Sequence, residues 1–96
     1  MHVISKKALR DFWGVYPDSE ASLRAWLQAA RREAWQNFAE VRAGFPKADR
    51  VGKLTVFNIA GNKYRLIAAI HHNRGRVYIR HVLTHAEYDR GNWKED

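Results

Sequence analysis

The sequence predicts an α+β fold of two layers, with N-terminal helices packed on a mainly antiparallel sheet and a short C-terminal helix. Three observations predict it. Apolar residues recur at helical spacing in the first half and give way to β-branched and aromatic runs in the second. Those runs, "LTVFNIA", "KYRLIAAIHH" and "RVYIRHVLT", are separated by "GN" and "NRG", which is the chemistry of tight turns and implies a three-stranded meander. Finally, apolar residues occupy both parities of the last two runs, so the middle of the sheet is expected to be covered on both faces, by helices on one of them.

The elements follow in order. "HVI" is short enough for an edge strand. Leu9, Phe12, Trp13 and Tyr16 mark a first helix, with Ser5 as its expected N-cap and Pro17 as its end. Asp18 is the expected cap of a second helix, whose apolar stripe is Leu23, Trp26, Leu27, Ala30 and Ala34. "NFAEVRAGFP" predicts a short third helix, because Asn37 and Glu40 stand at capping-box spacing and Gly44 and Pro46 close it. After the meander, Thr84 and Glu87 form another capping box, and the last helix stops at Gly91. The tryptophans read mainly as packing residues, Trp13, Trp26 and Trp35 above all. Residues 1–96 are expected to form one domain without linkers or repeats.

Composition narrows the function. There is no cysteine, which removes disulfides and thiolate metal sites and fits a reducing cytoplasm. No stretch approaches the roughly 18 apolar residues of a membrane span, and the opening "MHVISKKALRDFW" has no signal-peptide core. The net charge of +7 is concentrated: between Lys47 and His85 eight Lys and Arg residues face the single acid Asp49, a surplus equal to that of the whole chain. Four of the five histidines, His71, His72, His81 and His85, lie in the same stretch. Such a field attracts a polyanion, most often nucleic acid; the plainer alternative is a solvated basic surface.

Metal chemistry fits poorly. His71 and His72 point to opposite faces of a strand, and His81 and His85 straddle a strand-to-helix junction, where helical spacing does not apply. No Ser-His-Asp order, phosphate-binding glycine loop or shared carboxylate pair stands out. What remains is Arg65, Arg80, His85 and Tyr88, an inventory suited to RNA cleavage without metal or other cofactor. The 2′-hydroxyl must lose a proton to attack phosphorus, the transition state needs fixed positive charge, and the leaving 5′-oxygen needs a proton. Histidine as a residue type exchanges protons near neutrality, arginine offers bidentate charge to phosphoryl oxygens, and tyrosine stacks on a base or donates its phenolic proton. Taken singly, each of these residues reads as plainly as an ordinary strand or helix residue. A three-residue loop of Asn73, Arg74 and Gly75, favoured because Gly75 suits a bulge, would set His72 opposite Arg76 and send Arg65 and Arg80 to opposite faces, whereas a two-residue or four-residue loop would put them together.

"VFNIAGNKYRLIAAI", "RVYIRHV" and "THAEYD" resemble the corresponding stretches of HigB-type toxins, mRNA interferases of type II toxin–antitoxin systems in the RelE/ParE-like superfamily. The resemblance spans nearly the whole chain, and "FNIAGNKYRL" followed some twenty residues later by "THAEYD" is its most specific pairing. It implies a cytoplasmic endoribonuclease that cuts translated messages at the ribosome. It also implies neutralisation by a cognate helix-turn-helix antitoxin of the HigA kind, through which alone operator DNA would be bound, and no membrane partner. By position it makes Arg65 the phosphate stabiliser, His85 the basic residue closing the last strand and Tyr88 the C-terminal tyrosine, the three expected catalytic residues. Lys63, Arg80, Asn62, Lys53 and Arg76 are the expected RNA contacts. RelE carries two lysines on the preceding strand where this sequence has Val56 and Asn58, so the proton chemistry is expected to rest on His85 with Lys63 as a neighbouring charge. The rival readings are a non-catalytic growth inhibitor on the same fold, as in ParE-like gyrase inhibitors, and a basic RNA-binding module.

Overall fold

The computed structural model describes residues 1–95. Strand β1 (His2–Ile4) leads into α1 (Lys6–Val15), a 3-10 turn at Pro17–Ser19 separates α1 from α2 (Glu20–Arg32), and α3 (Phe38–Gly44) follows. The remainder is β2 (Asp49–Val51), β3 (Leu54–Ile59), β4 (Tyr64–His71), β5 (Arg76–Thr84) and α4 (His85–Arg90), closed by a 3-10 turn at Asn92–Glu95. The sheet runs β1-β5-β4-β3-β2, with β1 parallel to β5 and every other pair antiparallel. This is the expected α+β architecture with one more strand. The hairpin of β2 and β3 through Gly52 and Lys53 escapes the sequence because a strand of Asp, Arg and Val is too short to show a period.

Two apolar clusters hold the layers. Between helices and sheet lie Leu9, Leu23, Trp26, Trp35, Val41, Phe57, Leu66 and Val77, each no more than 2% exposed. On the opposite face of the sheet, Val56, Ile67 and Trp93 form a smaller cluster, joined by Leu54, Leu83 and Tyr88. The mixed parity of the last two strands is thereby explained: even-numbered positions of β4 such as Leu66 and Ala68 face the helices, while Ile67 faces the C-terminal segment.

Local corrections concern caps and loops. Ser5 is not a side-chain cap; its φ of 76° turns the chain sharply from β1 into α1, a conformation in which its hydroxyl caps nothing. Asp18 lies inside the 3-10 turn rather than capping α2, and its carboxylate reaches Tyr64 and Lys63 instead. Because α2 ends at Arg32, Ala34 is exposed beyond it and not part of its stripe. Asn37 does cap α3, accepting from Glu40 N at 3.0 Å, while the Glu40 carboxylate accepts from Gln36 N at 2.8 Å rather than from Asn37.

The β4–β5 hairpin also differs from expectation. His71, not His72, stands opposite Arg76, because residues 72–74 form a 3-10 turn closed by Gly75 at φ 65°, a loop one residue longer than a glycine bulge needs. Further along, Ala68 faces Ile79 but Ile67 faces His81, so Arg80 is the extra residue of a β-bulge. The longer loop puts Arg80 on the side of Ala69 and Arg65 rather than opposite them.

Candidate active site

Alternation along β4 sends Tyr64 toward the helices and Arg65 to the other face, where only 7% of Arg65 is exposed. Its guanidinium is held at several points: Nη1 donates to the carbonyls of Asn62 (3.2 Å) and Tyr64 (3.1 Å), and Nη2 to Asn62 Oδ1 (2.7 Å). The ring of Tyr88 lies against it, with Cζ 5.2 Å from the ring centroid. Tyr88 in turn stacks on Trp93 at 5.1 Å and 12°, and Trp93 Nε1 donates to the Tyr88 carbonyl at 2.9 Å. Trp93 is thus the residue that sequence reasoning passes over. Its signal is its position two residues after Gly91, whose φ of 76° turns the chain back toward the sheet.

The junction of β5 and α4 is built as the sequence predicts. Thr84 Oγ1 accepts from Glu87 N at 3.2 Å and Glu87 Oε1 accepts from Thr84 N at 2.9 Å, a complete capping box. His85, the first helical residue, donates its backbone N–H to the Lys63 carbonyl at 2.9 Å, which ties α4 to the segment before Arg65. Its Nε2 lies 3.2 Å from Asp89 Oδ2 one turn on, and the side chain is nearly half exposed. A carboxylate at that distance orients the imidazole.

Behind Arg65 the same segment is tied to the helical layer. Tyr64 donates its hydroxyl to Asp18 Oδ1 at 2.6 Å, and Lys63 Nζ lies 3.3 Å from Asp18 Oδ2. The hydrogen bond from Tyr64, with a smaller contribution from Lys63, lowers the Asp18 pKa, and the same bond raises Tyr64 to about 12. Phe12 and Tyr16 pack on the Tyr64 ring at 5.2 and 5.5 Å.

The other expected RNA contacts fall into two places. Lys53 and Arg80 line a groove of about 590 Å³ with Arg50, His71, Trp93 and Lys94, so it begins where the Tyr88–Trp93 stack ends. Arg76 stands opposite His71 and donates to the Tyr78 hydroxyl at 3.4 Å. Six residues of strand separate His71 from Arg65, about 20 Å at strand rise, so Arg76 lies at the far end of the same face. Asn62 touches Arg65 directly, and Lys63 pairs with Asp18. Among the described residues, no three His, Asp or Glu side chains converge in a metal-ligating cluster. The arrangement offers one immobilised guanidinium, a partly exposed imidazole and a phenol over a basic groove, which is equipment for holding a phosphodiester and moving protons around it.

Comparison with known proteins agrees with this architecture. Residues 19–91 match the HigB toxin family, described as the RelE-like toxic component of a toxin–antitoxin system. The chain is 35% identical over 92 residues to the mRNA interferase toxin HigB of Escherichia coli (strain K12), covering 93% of this chain and 88% of that protein. The mRNA interferase HigB of Shigella flexneri is equally similar, with the same coverage. The mRNA interferase HigB of Escherichia coli O6:H1 is 30% identical over 93 residues, covering 94% of this chain and 90% of the relative. On this similarity, and as its own motifs suggested, the chain belongs to the HigB toxin family of RelE-like toxic components of toxin–antitoxin systems.

Proposed function

We propose that this toxin is an endoribonuclease that cleaves translated mRNA at the ribosome, working in the cytoplasm without metal or other cofactor as one RelE-like domain over residues 1–96. A toxin of this class has a cognate antitoxin as partner; the partner we assign is a HigA-like helix-turn-helix protein, through which alone operator DNA would be met. No helix among the described residues is long and apolar enough to cross a membrane. The observation that carries the reading is the guanidinium of Arg65, immobilised by Asn62 and Tyr88 and linked through the Tyr88–Trp93 stack to a groove lined by Lys53 and Arg80.

In this reading the message backbone lies along the second face of the sheet, from Arg65 past Arg80 and Lys53 toward Arg76. Arg65 stabilises the charge that accumulates on the phosphoryl oxygens, and its prior fixation means that little reorganisation is needed as that charge develops. His85 and Tyr88 exchange the two protons: one leaves the 2′-hydroxyl as its oxygen bonds to phosphorus, and one reaches the 5′-oxygen as its bond to phosphorus breaks. Asn62 orients Arg65, and Lys63 supplies a neighbouring positive charge. Mapping RNA ends and DNA breaks after expression in a host tests the proposal against a gyrase-inhibitor reading. New internal message ends with intact DNA are expected; broken DNA with unchanged RNA ends would overturn it.

A further inference from the structure

A second recess, separate from the basic groove, lies at the edge of β3. Phe45, Pro46 and Lys47, on the connection from α3 to β2, form one wall, and Asn58 and Gly61 form the other, around a volume of about 340 Å³. Binding cavities for small molecules begin near 300 Å³, so this one has room for a single planar group rather than a long ligand. Phe45 is a fixed wall, since its ring packs edge-on against Phe57 at 5.1 Å and against Trp35 at 6.1 Å.

Asn58 joins this recess to the phosphate site. It is the cross-strand partner of Arg65, and directly opposed residues of an antiparallel pair project from the same face with Cβ atoms about 5 Å apart. The backbone of Asn58 offers hydrogen bonds as well. The β2–β3 ladder ends at the pair Asp49 and Val56, and alternation turns the N–H and C=O of Asn58 to the same side as those of Leu54 and Val56, beyond the last residue of β2. The recess therefore wraps round the edge of β3, with the aromatic wall of Phe45 on the helical face, Asn58 on the Arg65 face and a strand edge without a strand partner between them. Lys47, exposed, stands at its rim.

On the reading that Arg65 holds the scissile phosphate, we infer that this recess is a nucleobase subsite that takes the base next to the cut and reads it through Asn58. A base has a π-face for the ring of Phe45 and an edge of donors and acceptors that a carboxamide pairs with in bidentate fashion. A phosphate would find only Lys47 there, and an apolar peptide side chain would leave the carboxamide and the strand edge unpaired. The basic groove then carries the backbone of the message while this recess carries sequence information, the division between positioning and specifying contacts usual in nucleic-acid recognition.

The first test needs no catalysis. The purified toxin is titrated with each of the four nucleoside monophosphates and with ribose 5-phosphate while backbone amides are followed by NMR. Shifts at Lys47, Asn58 and Gly61 that differ among the bases and are missing with ribose 5-phosphate are the expected result; the same residues shifting equally with ribose 5-phosphate, or no base-dependent shift there, overturns the inference. The second test sequences cut sites made by the parent and by Asn58→Ala. The variant should change the relative frequency of bases beside the cut by about five- to tenfold, the lower range of a bidentate base contact. An unchanged profile from a variant that melts like the parent would also overturn the subsite, and would leave RNA cleavage itself intact; absence of cleavage by the parent would instead overturn the endoribonuclease reading, with the titration still deciding the recess.

Discussion

The hydroxyl of Tyr64 donates to the carboxylate of Asp18 across 46 residues of sequence, at 2.6 Å, and fastens the start of β4 to the turn between α1 and α2. Arg65 is the next residue, so the bond fixes the segment from which the guanidinium projects. Because it raises the pKa of Tyr64 to about 12 and lowers that of Asp18, it also makes stability depend on pH at both extremes.

The signs follow from linkage. Tyr64 holds its proton more tightly when folded, so its contribution is fully present below the ordinary value of 10.0 and is lost as pH rises toward about 12. Asp18 holds its proton less tightly when folded, so its contribution is present above 3.8 and is lost as pH falls through its lowered value. Melting curves of the parent should therefore lose stability between pH 10 and 12 in part through this bond, and Tyr64→Phe should flatten that arm. An identical alkaline arm in the variant would show that the bond does not contribute.

Thr84→Ala removes the hydroxyl half of the capping box and should cost about 0.5–2 kcal/mol. His85→Ala removes no cap, and the exposed His85–Asp89 pair contributes little to stability; that variant should melt almost where the parent does. Its cleavage rate should fall roughly 10²–10⁴-fold if His85 transfers a proton. Thermal melts and single-turnover cleavage of both variants separate the structural role of this junction from its chemical one.

The capping box was legible from "THAEYD" because a cap is a local device, written within four residues. So were the meander and its cover on both faces, because strand parity is also local. The β4–β5 register was not legible: it depends on a 3-10 turn at His72–Arg74 and a bulge at Arg80, and neither leaves a compositional mark beyond Gly75. Ser5 and Asp18 have the composition of caps, yet tertiary constraints use them otherwise, one to turn the chain and one to hold Tyr64. Of the candidate site, Arg65 and Tyr88 could be named from the sequence. Their contact through the Trp93 stack could not, since it rests on a chain reversal after Gly91.

Trp93→Ala should be severe for a residue so close to the end of the chain, costing about 3–5 kcal/mol as expected for a buried aromatic, because it removes the largest member of the second cluster. Tyr88→Phe keeps the ring that meets both Arg65 and Trp93, so chemical denaturation should give nearly the parent stability. Cleavage should still slow if the phenol carries a proton. Equal stability of Trp93→Ala and the parent would remove the second cluster from the account.

Binding of the toxin to RNA should weaken as salt rises, with a log-log slope of about −0.7 for each phosphate neutralised on a single strand. Lys53→Ala and Arg80→Ala, which take cations from the groove, should each make that slope shallower by about 0.7. Filter binding over a range of salt concentrations measures it, and a parent slope near zero would remove the groove as an electrostatic track.

The chemistry of the cut ends bears most directly on the whole account. Purified toxin is mixed with ribosomes stalled on a defined message, and the new termini are identified in the presence of a metal chelator that leaves the ribosome assembled. Attack by the 2′-hydroxyl predicts a 2′,3′-cyclic phosphate on one fragment and a 5′-hydroxyl on the other, formed by the parent and lost in Arg65→Ala. An uncut message, a 5′-phosphate at the new end, or undiminished cutting by Arg65→Ala would contradict it.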